Sequence, residues 1–206
     1  MMKKLLLSVF AALVALTIYL GIGLAIDAKE IYEGTIRLHI IAESDSEADQ
    51  AMKLKVRDAL VAELAEWTAA AANKSESQAI LEGHLNEIEA IAEAVLEQEG
   101  YFTDVQAVIT EEYYSTREYD GVRLPAGRYT SLQVKIGKAE GKNWWCVLFP
   151  NLSTSSVKAE KAMVETGFSK NQIRLLTDEE SPRYTLRFRI IESLSKLGRS
   201  LKEWFS

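Results

Sequence analysis

Any chemistry in this chain would have to come from few side chains. The 206 residues include two histidines, His39 and His84, and a single cysteine, Cys146. The histidines fall in different expected elements, with no HExxH or CxxC pattern, so zinc lacks ligands at usable spacing. Asp45 and Asp49 are carboxylate candidates, but the rest of a calcium loop is missing. No metal and no cofactor is expected. The stretch Gly137-Lys138-Ala139-Glu140-Gly141-Lys142-Asn143 has the look of a phosphate loop. It is one residue short and carries Asn143 where a Ser or Thr would hold magnesium, so a hairpin loop is the better reading. Cys146 sits between Trp145 and Val147 in a strand-like run, where a thiol is normally a small buried hydrophobe. A Cys–His pair with His39 is the nucleophilic arrangement that composition leaves open. No G-x-S-x-G elbow presents a serine, and no Asp-Thr-Gly or Asp-Ser-Gly marks an aspartic protease. No catalytic group is therefore expected.

What stands out instead is a polar cluster. Arg37 and His39 lead into Ser44-Asp45-Ser46, and Asp49, Lys53 and Arg57 follow at spacings of four along one side of a helix. Capping groups and surface ion pairs account for most such clusters. The functional alternative is a recognition surface at a strand-to-helix corner. Trp144 and Trp145 pose a similar choice, because strand alternation sends the two indoles to opposite faces. An outward tryptophan is a good anchor for a protein partner.

The elements that would carry these residues follow from pattern. Residues 34–41 read as a strand, with Ile36, Leu38 and Ile40 on one face and Arg37, His39 and Ile41 on the other. Ser44 with Glu47, or Ser46 with Asp49, offers a helix cap. The helix should run to about Ala72 and bury Met52, Val56, Leu60, Leu64 and Trp67. A second helix from Ser75 or Ser77 to Gln98 would bury Leu81, Leu85, Ile88 and Val95, closed by Gly100. Strands are expected at 105–114, 128–136 and 144–149, with turns at Asp120-Gly121 and Pro125-Ala126-Gly127. Residues 137–142 should join two antiparallel strands. A helix at 155–166, a strand at 184–190, and an amphipathic C-terminal helix bearing Leu194, Leu197, Leu201 and Trp204 complete the chain. The expected fold is a single α+β domain over 34–206, an antiparallel sheet packed against a helical pair.

Charge and hydropathy narrow the setting. The net charge of -6 argues against nucleic acid as a partner, since phosphate binding needs a basic surface. Acidic residues outnumber basic ones 17 to 4 between Glu43 and Glu112, whereas the stretch from Arg183 onward holds 6 basic and 2 acidic. The basic end could face an anionic membrane or partner. Lys3 and Lys4 precede 22 uncharged residues, Leu5 to Ile26, and Asp27 follows. Residues 1–26 are thus an export signal peptide or signal anchor, with the lysines left on the cytoplasmic side. Gly23 and Ala25 have the spacing of a signal-peptidase site, so cleavage and retention both stay open. A lone cysteine forbids an intramolecular disulfide.

Residues 37–60, RLHIIAESDSEADQAMKLKVRDAL, resemble the opening motif of the stage II sporulation protein R family. LPAGRY at 124–129 and GKNWWCVLFP at 141–150 are similar to its second block, and YTLRFRIIE at 184–192 to its C-terminal strand. Glu43 replaces the usual Asn. Asn151-Leu152-Ser153 replaces Pro-Leu-Cys, which removes any disulfide from Cys146 to that position. The resemblance implies a non-enzymatic signal, exported from the forespore into the intermembrane space. There it would activate a membrane-embedded aspartic-type protease from its extracytoplasmic face, leading to processing of a sigma-factor precursor. Contact would fall on the corner from Arg37 to Asp58 and on Trp144-Trp145, with membrane contact through residues 1–26 or the C-terminal helix. An envelope hydrolase and a structural envelope protein are the competing readings.

Overall fold

The computed structural model describes residues 28–119, 121–150 and 156–177, together with Ser8, Val9, Ala12 and Ala15. But for those four positions, the expected export segment lies outside the described residues, as do the strand at 184–190 and the C-terminal helix. Among the described residues, no helix is long and apolar enough to cross a membrane.

Strand β1 (Ile36–Ile41) is buried on both faces, and the rest of the fold follows from that. Ile36, Leu38 and Ile40 are fully buried on one side, Arg37 and His39 on the other. Layers pack on both faces of the sheet, and β1 is also central within it. It lies between β5 (Gly127–Ile136) and β6 (Asn143–Phe149) in a four-stranded sheet of order β2-β5-β1-β6, with β2 (Val105–Tyr114) at the far edge.

The chain is α+β, as expected, but the sheet is mixed rather than antiparallel. β1 runs parallel to β5 and antiparallel to β6, while β2 and β5 are antiparallel. The reason is that β1 occupies the slot between β5 and β6. Residues 137–142 therefore do not join hydrogen-bonded neighbours; they pass over the end of β1. Glu140 N–H donates to the Glu43 carbonyl at 3.1 Å and Gly141 N–H to that of Ala42 at 2.9 Å. Only glycine fits at 141, where a Cβ would lie 2.2 Å from the Ser44 carbonyl oxygen.

Helix α2 (Glu47–Thr68) follows β1, with Ser46 as its cap: the Asp49 N–H donates to Ser46 Oγ at 3.1 Å. The second of the two possible cap registers is thus the one used. The expected second helix is two, α3 (Lys74–Gly83) and α4 (Leu85–Gln98). His84 makes the break: its ring bonds the Ile80 carbonyl at 2.7 Å and packs on Trp67, centroids 4.7 Å apart. Val56, Leu60 and Leu64 from α2, Leu81 from α3, and Ile88, Ala92 and Leu96 from α4 pack on the sheet face formed by Ile36, Leu38, Ile40, Leu132, Val134 and Cys146. Each fully buried aliphatic side chain here contributes ~1.5–3 kcal/mol.

The opposite face carries a second core. The helical residues 28–33 (α1), the two-stranded hairpin β3 (Arg117–Tyr119) and β4 (Val122–Leu124), α5 (Ser156–Glu165) and α6 (Lys170–Thr177) supply Ile31, Val122, Leu124, Met163, Leu175 and Leu176. They cover Tyr114, Tyr129 and Val147 of the sheet. The β3–β4 turn uses the expected glycine, Gly121, at φ 81°. Helix α6 was not expected, although the sequence marks its start: Ser169 and Gln172 form a capping box, with the Gln172 N–H donating to Ser169 Oγ at 3.3 Å and the Ser169 N–H to Gln172 Oε1 at 2.6 Å.

Candidate functional site

The structure divides the sequence-derived candidates into three groups. At the corner, Ser44, Asp45, Ser46, Asp49 and Lys53 do converge, and what they hold is the crossing loop. Asp45 Oδ1 accepts the Lys142 N–H at 2.7 Å, and Lys53 Nζ donates to the Lys142 carbonyl at 2.9 Å and to Gln50 Oε1 at 2.6 Å. Ser44 Oγ donates to Asp49 Oδ2 and accepts the Ser46 N–H at 3.1 Å. Hydrogen bonds from Ser44 and then Ser46 hold the Asp49 carboxyl below its usual range. Burial pushes the Lys53 ammonium below the ordinary lysine range, and Asp45 opposes this. The same bonds settle the phosphate-loop likeness, because the amides of Glu140, Gly141 and Lys142 are already spent on Glu43, Ala42 and Asp45.

Arg37 and His39 form a second group on the other face, both buried and away from the corner they precede in sequence. His39 Nδ1 lies 2.9 Å from Glu112 Oε2, and Nε2 lies 2.9 Å from Asn143 Oδ1. The Tyr114 hydroxyl bridges Glu112, at 3.2 Å, and Ser131 Oγ, at 2.6 Å. Burial, the largest single influence, would raise the Glu112 carboxyl; hydrogen bonding and attraction from His39, with hydrogen bonds from Tyr114 and Ser131, together outweigh it and hold the group below the usual value. Leu38 pairs with Cys146 and His39 with Trp145, so Cys146 faces the helices while His39 faces the second core. The open Cys–His pairing therefore does not form. Among the described residues, no group of His, Cys, Asp and Glu could hold a metal ion.

The third group surrounds β6. Alternation places Trp144 on the helical face and Trp145 on the other, both half-buried. The Arg57 guanidinium lies 5.4 Å from the Trp144 ring centroid and pairs with Asp58 at 2.6 Å. Arg117 lies 3.8 Å from the Trp145 centroid, and that ring stacks on His39 at 5.5 Å. Between α2 and the β3–β4 hairpin runs a groove of about 560 Å³, floored by residues 144–147 and walled by Arg57, Asp58, Glu118 and Tyr119. Arg117, Glu118 and Tyr119 were not among the expected site residues. The Asp120-Gly121 turn marks their hairpin in the sequence, but its placement over Trp145 comes from tertiary packing.

The family model for stage II sporulation protein R (spore_II_R) matches residues 32–159. The chain is 33% identical over 152 residues to a protein named "Stage II sporulation protein R" from Bacillus subtilis (strain 168), covering 72% of this chain and 68% of that one. No solved structure matches it. The matched region contains β1, the corner, the hairpin and β6, and so the whole groove, and the chain belongs to the stage II sporulation protein R family.

Proposed function

We propose that this protein is an exported sporulation signal that activates a membrane-embedded aspartic-type protease, whose activity leads to processing of a sigma-factor precursor in the mother cell. Family membership supports the sporulation role, and one observation carries the proposal of where contact is made. The first motif block supplies Arg57 and Asp58, the second supplies Trp144 and Trp145, and both blocks meet in one groove beside β6. Two half-buried indoles, each with a guanidinium over it, form an aromatic and arginine surface of the composition that dominates interface energetics.

Activation is a population shift. The signal must bind the active arrangement of the protease more tightly than the inactive one, since equal affinity for both shifts nothing. Stabilising an active protease dimer is the simplest form of this. The export segment delivers the domain to the intermembrane space, where the protease presents its extracytoplasmic face. Residues 1–26 or the basic C-terminal region supply any membrane contact.

The test is co-expression of this chain with the protease and its precursor in a host that does not sporulate. The precursor should shorten only when this chain is present and exported. An unchanged precursor, with all three proteins intact, would overturn the proposal.

A further inference from the structure

Arg37 is fully buried, with its guanidinium carbon 4.1, 5.2 and 5.1 Å from the ring centroids of Tyr114, Tyr119 and Tyr129. Nη2 donates to the Tyr119 hydroxyl, whereas Nε and Nη1 have no hydrogen-bond partner among the described residues. No carboxylate among the described residues pairs with it. A buried charge with two idle donors is costly, and ring faces recover only part of that cost. A side chain kept at such cost has a partner to meet.

The geometry of the guanidinium says how that partner would bind. A carboxylate is gripped two-pronged by Nη2 together with either Nε or Nη1. Nη2 carries two N–H groups, one for each grip, and the Tyr119 hydroxyl takes one of them. The phenol thus fills one grip itself, and the two idle nitrogens, which belong to different grips, cannot share a carboxylate without Nη2. Tyr119 belongs to the β3–β4 hairpin and lines the groove beside β6. Displacement of this one side chain joins the groove to the buried charge and frees a two-pronged grip.

We infer that Arg37 receives a single carboxylate from the protein partner, carried into the β6 groove on the partner's chain, with Tyr119 as the gate. The inference rests on the signalling role proposed above. Among the described residues, Arg37 is the one cation enclosed by the three phenols, which matches a monoanion; Arg117, the next cation, acts on Tyr119 from outside and is packed on Trp145. That packing of Arg117 ties the hairpin to β6 in the closed arrangement.

Two variants of the full chain test this, Arg37→Met and Tyr119→Phe. Arg37→Met replaces the charge with a side chain of similar length, so its melting temperature should be unchanged or higher while activation in the co-expression assay falls at least tenfold. Normal activation by folded Arg37→Met would overturn the inference and leave the signalling role standing. Failure of the wild-type chain to activate would overturn the signalling role instead.

Acetate binding decides the chemistry without the protease, read from tryptophan fluorescence at constant ionic strength against chloride. Tyr119→Phe should bind acetate saturably and several-fold more tightly than wild type, and Arg37→Met should not respond. If Arg37→Met does not fold, the comparison of Tyr119→Phe with wild type decides. No gain in Tyr119→Phe, an equal response in Arg37→Met, or a response to inorganic phosphate but not to acetate would each overturn it.

Discussion

Lys53 and Arg57 stand one helical turn apart on α2 and belong to different parts of the molecule. Lys53 is only 5% exposed and is committed to the crossing loop, whereas Arg57 lies over Trp144 at the wall of the groove. Their substitutions should therefore separate stability from signalling. Lys53→Met and Ser46→Ala should each lower stability by ~1 kcal/mol, read as a shift in the denaturant midpoint, and still activate when folded. Arg57→Ala should cost less than ~0.5 kcal/mol, because its ion pair with Asp58 is at the surface, yet reduce activation strongly. Equal loss of stability in all three would remove the distinction. Spacings of four put these residues on one helical side in the sequence, but periodicity carries no record of which side chain meets the loop 89 residues away.

At the level of elements, the crossing of 137–142 over β1 is the feature on which the sheet depends. Gly141→Ala sets a methyl group against the Ser44 carbonyl at 2.2 Å, and a backbone atom cannot rotate away. The loop must move, at a cost of about 1–3 kcal/mol, and a matched variant at Gly83, where an added Cβ meets nothing within 4 Å, should show no such loss. Thermal denaturation of the two variants would measure the contrast. The strands at 105–114, 127–136 and 143–149 were legible in the sequence almost to the residue, because β-branched and aromatic runs end at glycine and charge. Strand order was not. A loop of this length most often closes a hairpin, and nothing local in 137–142 announces that a third strand lies between its ends. The break at His84 was equally hidden, since it depends on Trp67 from another helix.

Across the whole molecule, the sheet separates an aliphatic core from one rich in tyrosine and charge. Burial pushes the phenols of Tyr114, Tyr119 and Tyr129 above the ordinary tyrosine value of about 10. A group whose pKa is raised on folding contributes stability that is fully present below its unfolded value and is lost as pH climbs through the folded one. Stability should thus be flat through neutrality and fall above about pH 10. Tyrosinate absorbance followed beside circular dichroism should show these three of the eight tyrosines ionising only as structure is lost. Ionisation of all eight before unfolding would contradict the burial described. The sequence displayed the apolar side of this division through Ile36, Leu38 and Ile40. It read Arg37 and His39 as leading into an exposed corner, because alternation alone does not tell a solvated face from a second core.

The central position of β1 also bears on the order in which the chain can assemble. β1 is near the start of the domain, yet both strands that flank it come from residues 127–149, the last part of the described sheet to be made. A chain leaving a ribosome or a membrane pore from its N-terminus would present β1 long before either neighbour. Helices α2 to α4 would gather first, as local contacts do, and the sheet would close around β1 only after Phe149 had emerged. Chains that stop short of β6 could pair β2, β5 and β1 only, leaving β1 open on one side, so the groove floored by residues 144–147 would exist only in molecules delivered past Phe149.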